Sequence, residues 1–112
     1  MYGNPQRRRT EEVARLRREG GRWLKSLREQ QGLSQSQLAA RLGSDGYTFI
    51  SQLETGRGRI PPDRYVDWSK ALEMRPAEFA RELMRYYDPV LHRLLFDDAP
   101  PTRRTPAFAQ AR

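Results

Sequence analysis

Apolar residues recur along the chain at helical spacing in several short stretches, and no stretch shows the alternation of a half-buried strand. Val13, Leu16, Trp23 or Leu24, and Leu27 fall on one face of a first helix. Thr10, followed by Glu11 and Glu12, reads as its N-cap with acids in the first turn. Gly20-Gly21 interrupts this face at about 1 kcal/mol per glycine relative to alanine, giving either one helix with a weak middle or two short ones. Gly32 predicts the end. Ser34 then caps a second helix that turns Leu38, Ala39 and Leu42 inward and closes at Gly43. Ser44-Asp45-Gly46 is turn chemistry. A third helix carries Ile50 and Leu53 inward, with Thr48, Ser51 and Gln52 outward, and stops at Gly56. After a basic loop, Pro62 and Asp63 open a fourth helix with Tyr65, Val66, Trp68, Ser69 and Leu72. Pro76 opens a fifth, with Phe79, Leu83 and Tyr86 or Tyr87 inward. Asp88-Pro89 breaks it, and Val90 to Phe96 can form one more short helix.

Composition narrows what such an all-α chain can do. Its 112 residues make one domain with room for a tail. Residues 1–9, with Gly3, Asn4, Pro5 and three arginines, read as a flexible basic arm. Residues 97–112, with Pro100-Pro101 and Pro106, read as a disordered tail. The domain then spans 10–96. No run approaches the roughly 18 apolar residues of a membrane span, and no apolar stretch follows the basic N-terminus as in a secretory signal. The expected place is the cytoplasm. Without cysteine, disulfides and cysteine metal sites are excluded. The single histidine, His92, reads as a helix-surface residue. Glu11-Glu12 and Asp97-Asp98 lack a positioned partner, and Gly56-Arg57-Gly58 lacks the spacing of a phosphate-binding loop. No enzyme, metal or cofactor is expected.

Charge points toward a polyanion. The net charge is +7, and residues 1–60 carry 12 Lys+Arg against 6 Asp+Glu, while residues 61–112 carry 9 against 8. A field concentrated in one half suits nucleic acid or an anionic membrane surface, although solubility charge is the plainer reading. The second and third helices, joined by a tight turn, form a helix-turn-helix pattern whose outer face holds short polar side chains. Such groups reach base edges in the major groove with fixed donors and acceptors.

Leu33-Ser34-Gln35-Ser36-Gln37-Leu38-Ala39-Ala40-Arg41-Leu42-Gly43, with Ile50-Ser51-Gln52-Leu53-Glu54-Thr55-Gly56-Arg57, resembles the XRE/Cro-type, lambda-repressor-like helix-turn-helix family. Lys70-Ala71-Leu72 fits its fourth helix. The resemblance covers Arg22 to Met74 and leaves 75–96 as a helical extension. It implies a compact five- to six-helix domain, double-stranded DNA as ligand, a role in transcription regulation and a homodimer. By position, Tyr47, Thr48, Ser51 and Gln52 correspond to base-contacting residues and Gln35 to a phosphate-contacting glutamine. Arg57 and Arg59 lie in the loop that meets the backbone, and Arg7, Arg8 and Arg9 resemble a basic DNA arm. Two departures stand out. Gly43 to Glu54 is one residue longer than usual, which enlarges the turn at 44–46. Glu73 replaces the glycine that usually ends the fourth helix, so a different cap is expected there.

Glu54 would repel phosphates if exposed, so a structural pairing with a base such as Arg28 is expected. Trp23 and Trp68 read as core or rim. Leu83, Tyr86, Tyr87, Leu91, Leu94, Leu95 and Phe96 belong to an apolar segment richer than one helix face needs. That segment closes the core, or forms a dimer or partner interface. If residues 83–96 dock a different protein, the chain is an adaptor or antitoxin-like protein whose partner is a toxin or RNA polymerase.

Overall fold

The computed structural model describes residues 5–43 and 47–97, and within them the chain is helical with no strand. Its helices are α1 (Pro5–Gln30), α2 (Gln35–Arg41), α3 (Thr48–Glu54), α4 (Tyr65–Ala71), α5 (Pro76–Tyr87) and α6 (Pro89–His92). A single 3₁₀ turn, Pro62–Arg64, leads into α4, and a π-helical turn, Arg93–Asp97, follows α6. The enlarged turn at 44–46, residues 1–4 of the expected arm and the tail from 98 onward lie outside the described residues.

α1 is one helix of 26 residues. It begins at Pro5, so Thr10 is no cap: its hydroxyl donates to the Gln6 carbonyl at 2.9 Å. Arg7, Arg8 and Arg9 therefore stand on the first turns of a helix, not in a flexible arm. The glycine pair in its middle is a crossing point. A Cβ on Gly21 would lie 2.3 Å from the Glu54 carbonyl oxygen, and one on Gly20 would lie 2.8 Å from Cβ of Tyr86. Close approach to the α3 backbone on one side and to the Tyr86 side chain of α5 on the other needs residues without side chains, and this offsets their low helix propensity.

The core gathers Leu24, Leu38, Ile50, Leu53, Ile60, Trp68, Leu72, Phe79 and Leu83. Half-buried Trp23 stacks on Phe79 at 5.7 Å between ring centres and approaches Tyr86 at 6.0 Å. Tyr65 meets Phe79 edge-on at 5.9 Å. α5 presents Phe79, Leu83 and Tyr87 inward at steps of four. Leu83 is fully buried, and the buried Tyr87 hydroxyl accepts the Ile60 N–H at 3.1 Å. Burial pushes the Tyr87 hydroxyl above its ordinary pKa, against the lowering effect of that hydrogen bond. Both residues are thus core and drop out of the expected interface. His92 is also buried, 2% exposed and packed against Phe96 at 5.1 Å, because α6 folds back after the Asp88-Pro89 break. The expectation of a surface histidine is corrected.

Three helices end alike. Gly32 and Gly56 have φ of +71° and +85°, and each is followed by an N–H that reaches back to close the last turn: Leu33 to Arg28 and Arg57 to Gln52. This is the Schellman arrangement. The end of α4 adopts it too, with Met74 N–H on the Ser69 carbonyl at 2.8 Å and Glu73 N–H on Lys70 at 3.2 Å. Glu73 takes φ +60°, so the cap does not differ; a residue with a Cβ occupies it. A left-handed conformation costs an L-residue about 1–2 kcal/mol. The Arg41 contact with Glu73 at 3.9 Å is exposed and offsets little of this.

Glu73→Gly is therefore expected to stabilise the fold by about 1 kcal/mol, raising the melting temperature by about 4–8 °C in a thermal scan. Gly21→Ala is expected to destabilise it by about 1–3 kcal/mol, because the added methyl meets backbone and not a movable side chain. Equal melting temperatures for Gly21→Ala and wild type would contradict the crossing-point account.

Candidate nucleic-acid interface

The α2–α3 corner is built from local signals. The Ser34 hydroxyl accepts the Gln37 N–H at 3.0 Å, and the Gln37 side chain accepts the Ser34 N–H at 2.8 Å. This capping box satisfies two N-terminal donors of α2 and fixes where the helix starts. Leu38 and Ala39 of α2 and Ile50 and Leu53 of α3 then anchor the corner in the core.

Behind the corner lies one buried ion pair. Arg28 Nε donates to Glu54 Oε2 at 2.7 Å and Nη2 to Oε1 at 3.0 Å. Arg28 Nη1 donates to the Leu33 carbonyl at 2.8 Å, and Gln35 Nε2 donates to Glu54 Oε1 at 3.0 Å. The Arg28 and Glu54 side chains are only 9% and 3% exposed. The Arg28 guanidinium is held above its ordinary pKa chiefly by the hydrogen bond to Glu54, against the cost of burial. The expected Arg28 pairing is present, with Gln35 as a third member.

Pulling Glu54 inward leaves the outer face of α3 without an acid. Tyr47, Thr48, Phe49 and Gln52 are exposed and Ser51 is half-buried. Among the described residues, the side chains of Tyr47, Thr48, Ser51 and Gln52 make no hydrogen bond. Thr55 differs, because its hydroxyl donates back to the Ser51 carbonyl at 3.0 Å. Phe49 was not singled out by the pattern, although its place beside inward Ile50 already puts it on the helix flank.

The loop cations diverge. Arg57 is exposed. Arg59 instead pairs with Asp88 at 3.0 Å and lies over the Tyr87 ring at 4.7 Å. Burial lowers its pKa, but the Asp88 hydrogen bond and charge outweigh this and leave it raised. It clasps the loop to the end of α5, where a cation open to phosphate was expected. Leu91, Leu94, Leu95 and Phe96 are exposed and Tyr86 is half-buried. Among the described residues, no three metal-ligating side chains gather in one place.

A family model described as helix-turn-helix matches residues 24–79, half of the chain. The chain belongs to the lambda-repressor-like helix-turn-helix family. A comparison with curated proteins gives no match. The helix-turn-helix match runs from the last two turns of α1 to the first turn of α5 and includes the whole corner. It identifies the domain as one of a DNA-binding, transcription-regulator type. The first part of α1 and everything after residue 79 lie outside the match. No described helix is long and apolar enough to cross a membrane.

Arg28→Ala, which strands a buried carboxylate, is expected to cost about 3–5 kcal/mol in urea denaturation. The Arg28→Ala, Glu54→Ala double variant is expected to recover part of that loss. Additive losses would contradict a coupled pair.

Proposed function

We propose that the chain binds double-stranded DNA sequence-specifically as a transcription regulator, with α3 in the major groove. The observation that carries this reading is the outer face of α3, whose polar ends are unused while its one acid is buried against Arg28. Gln52 and Ser51 read base edges, as do Thr48 and Tyr47 from the start of α3, and Phe49 offers an apolar contact to a thymine methyl. Arg57 holds phosphate. Gln35 keeps a second amide N–H for phosphate while its first stays on Glu54. Arg7 and Arg8 act from the start of α1, and Arg9 borders the apolar groove between α1 and α6.

The reading includes a homodimer on an inverted repeat, with half-sites about 34 Å apart. Its surface is narrower than the sequence suggested. Val90, Leu91 and Leu94 of α6 and the following turn face Val13 and Leu16 of α1 across an apolar groove, with Arg9, Glu12, Asp88 and Arg93 around it. Val13, Val90, Leu91, Leu94, Leu95 and Phe96 are all 40% exposed or more. A rim with both charge signs suits a two-fold interface, where each patch meets its own copy.

Selection from a random duplex library at near-physiological salt tests the DNA reading. An enriched inverted repeat, bound about 5- to 150-fold more weakly by Gln52→Ala and with relaxed preference in Ser51→Ala, is the expected result. No enrichment at any salt would overturn it and favour a protein-docking role for the 90–96 surface. For the dimer, Leu91→Asp with Leu94→Asp is expected to halve the sedimentation mass while leaving the melting temperature near wild type. A monomeric wild type would remove the inverted-repeat reading.

A further inference from the structure

α1 carries a second charged surface that belongs neither to the corner nor to the groove. Residues 5–23 of α1 precede the family match. Two contacts fix which side of the helix meets α3. Gly21 lies against the Leu53 and Glu54 carbonyls at the end of α3, and a Cβ on Gly56 would lie 2.9 Å from the Arg18 backbone nitrogen. Arg18 thus stands beside the loop that carries Arg57. Arg22 and Lys25 continue along that flank, four and seven residues on, as helical geometry requires.

The charges of α1 are sorted around its axis. Arg15 draws Glu12 and Glu19 to itself at 2.6 Å each, and Arg7 takes Glu11 at 3.8 Å. Arg18, Arg22 and Lys25 are exposed, and none forms an ion pair among the described residues. Glu29 is the carboxylate one turn beyond Lys25. Between the paired first turns and Glu29, the flank beside α3 carries uncompensated positive charge continuous with Arg57. The side of α1 that holds Val13 and Leu16 is taken by the apolar groove, so the cationic flank is left open.

We propose that Arg18, Arg22 and Lys25 form a second phosphate-binding track that lengthens the duplex footprint past the recognition helix. This rests on the reading of the chain as a duplex-DNA binder. The occupant is the sugar–phosphate backbone of the same duplex, as charge complementarity and continuity with Arg57 require. The track adds affinity without sequence preference.

Binding of the full chain to a mixed-sequence 30-bp duplex across a salt series tests the track. The variants are Arg18→Ala with Lys25→Ala, and a control that removes equal charge from α5, Arg75→Ala with Arg85→Ala. Two lost phosphate contacts are expected to flatten the slope of log K against log salt by about 1.8 and to weaken binding about tenfold near physiological salt. The control is expected to stay within about twofold, and melting curves for each variant establish that it is folded. Equal behaviour of track and control variants, with wild type binding the duplex, would overturn the track alone. A wild type that binds no duplex at any salt would overturn both the track and the DNA reading beneath it.

Discussion

The geometry of the α2–α3 corner depends on one buried contact, the bidentate Arg28–Glu54 pair. Its members are 26 positions apart in sequence and sit on α1 and α3. The remaining Arg28 donor closes onto the Leu33 carbonyl, and Gln35 brings the start of α2 to the same carboxylate. A buried ion pair contributes little net stability, since desolvation offsets most of the attraction. It instead fixes position, tying the end of α1, the α1–α2 link, the first residue of α2 and the last residue of α3 together at hydrogen-bond distances. It also sets the sign of the surface, because the only carboxylate of α3 is neutralised inside and the outer face is left free of acid.

The pair can form only because the backbones of α1 and α3 touch. Gly21 is seven residues before Arg28, two helical turns along the same side, and its missing Cβ admits the Leu53 and Glu54 carbonyls. Gly56 performs the matching service from the other chain segment by admitting the backbone of Arg18. Read one segment at a time, Gly20-Gly21 looks like a defect in a helix. Propensity describes a residue against water and its own helix, whereas the reason for these glycines lies far away in sequence, at Leu53 and Glu54 for Gly21 and at Tyr86 for Gly20.

The same division between local and distant causes explains what was legible. The Ser34 cap, the glycine ends of α1 and α3 and the inward Leu38, Ile50 and Leu53 follow from spacing, because each depends on residues within one or two turns. The outward direction of Thr48 and Gln52 follows from the same periodicity. Leu83 and Tyr87 were grouped with Leu91 to Phe96 because composition counts apolar residues without their direction, and the break at Asp88-Pro89 separates an inward set from an outward one. His92 went inward with that fold-back, although a lone histidine ordinarily prefers water. Arg59 looked like a loop cation, and only the folded chain brings Asp88 to it across 29 residues. At Glu73 the hydrogen-bonding demand of the helix end was legible, but the willingness of a glutamate to accept positive φ was not. The surrounding core residues Trp68, Leu72 and half-buried Met74 over-determine that turn and hold it there.

α1 emerges as the organising element because its length gives it several separate uses. One side carries Gly21, Leu24 and Arg28 against the end of α3 and the core. Another carries Gly20 and Trp23 against α5, while Val13 and Leu16 line a groove with α6. A helix that began at the family match would keep the ion pair but lose Val13, Leu16 and Arg18 together. The N-terminal turns therefore add an apolar wall on one side and a cationic flank on another. The groove wall and the flank beside α3 thus lie on different sides of one helix and are separate surfaces.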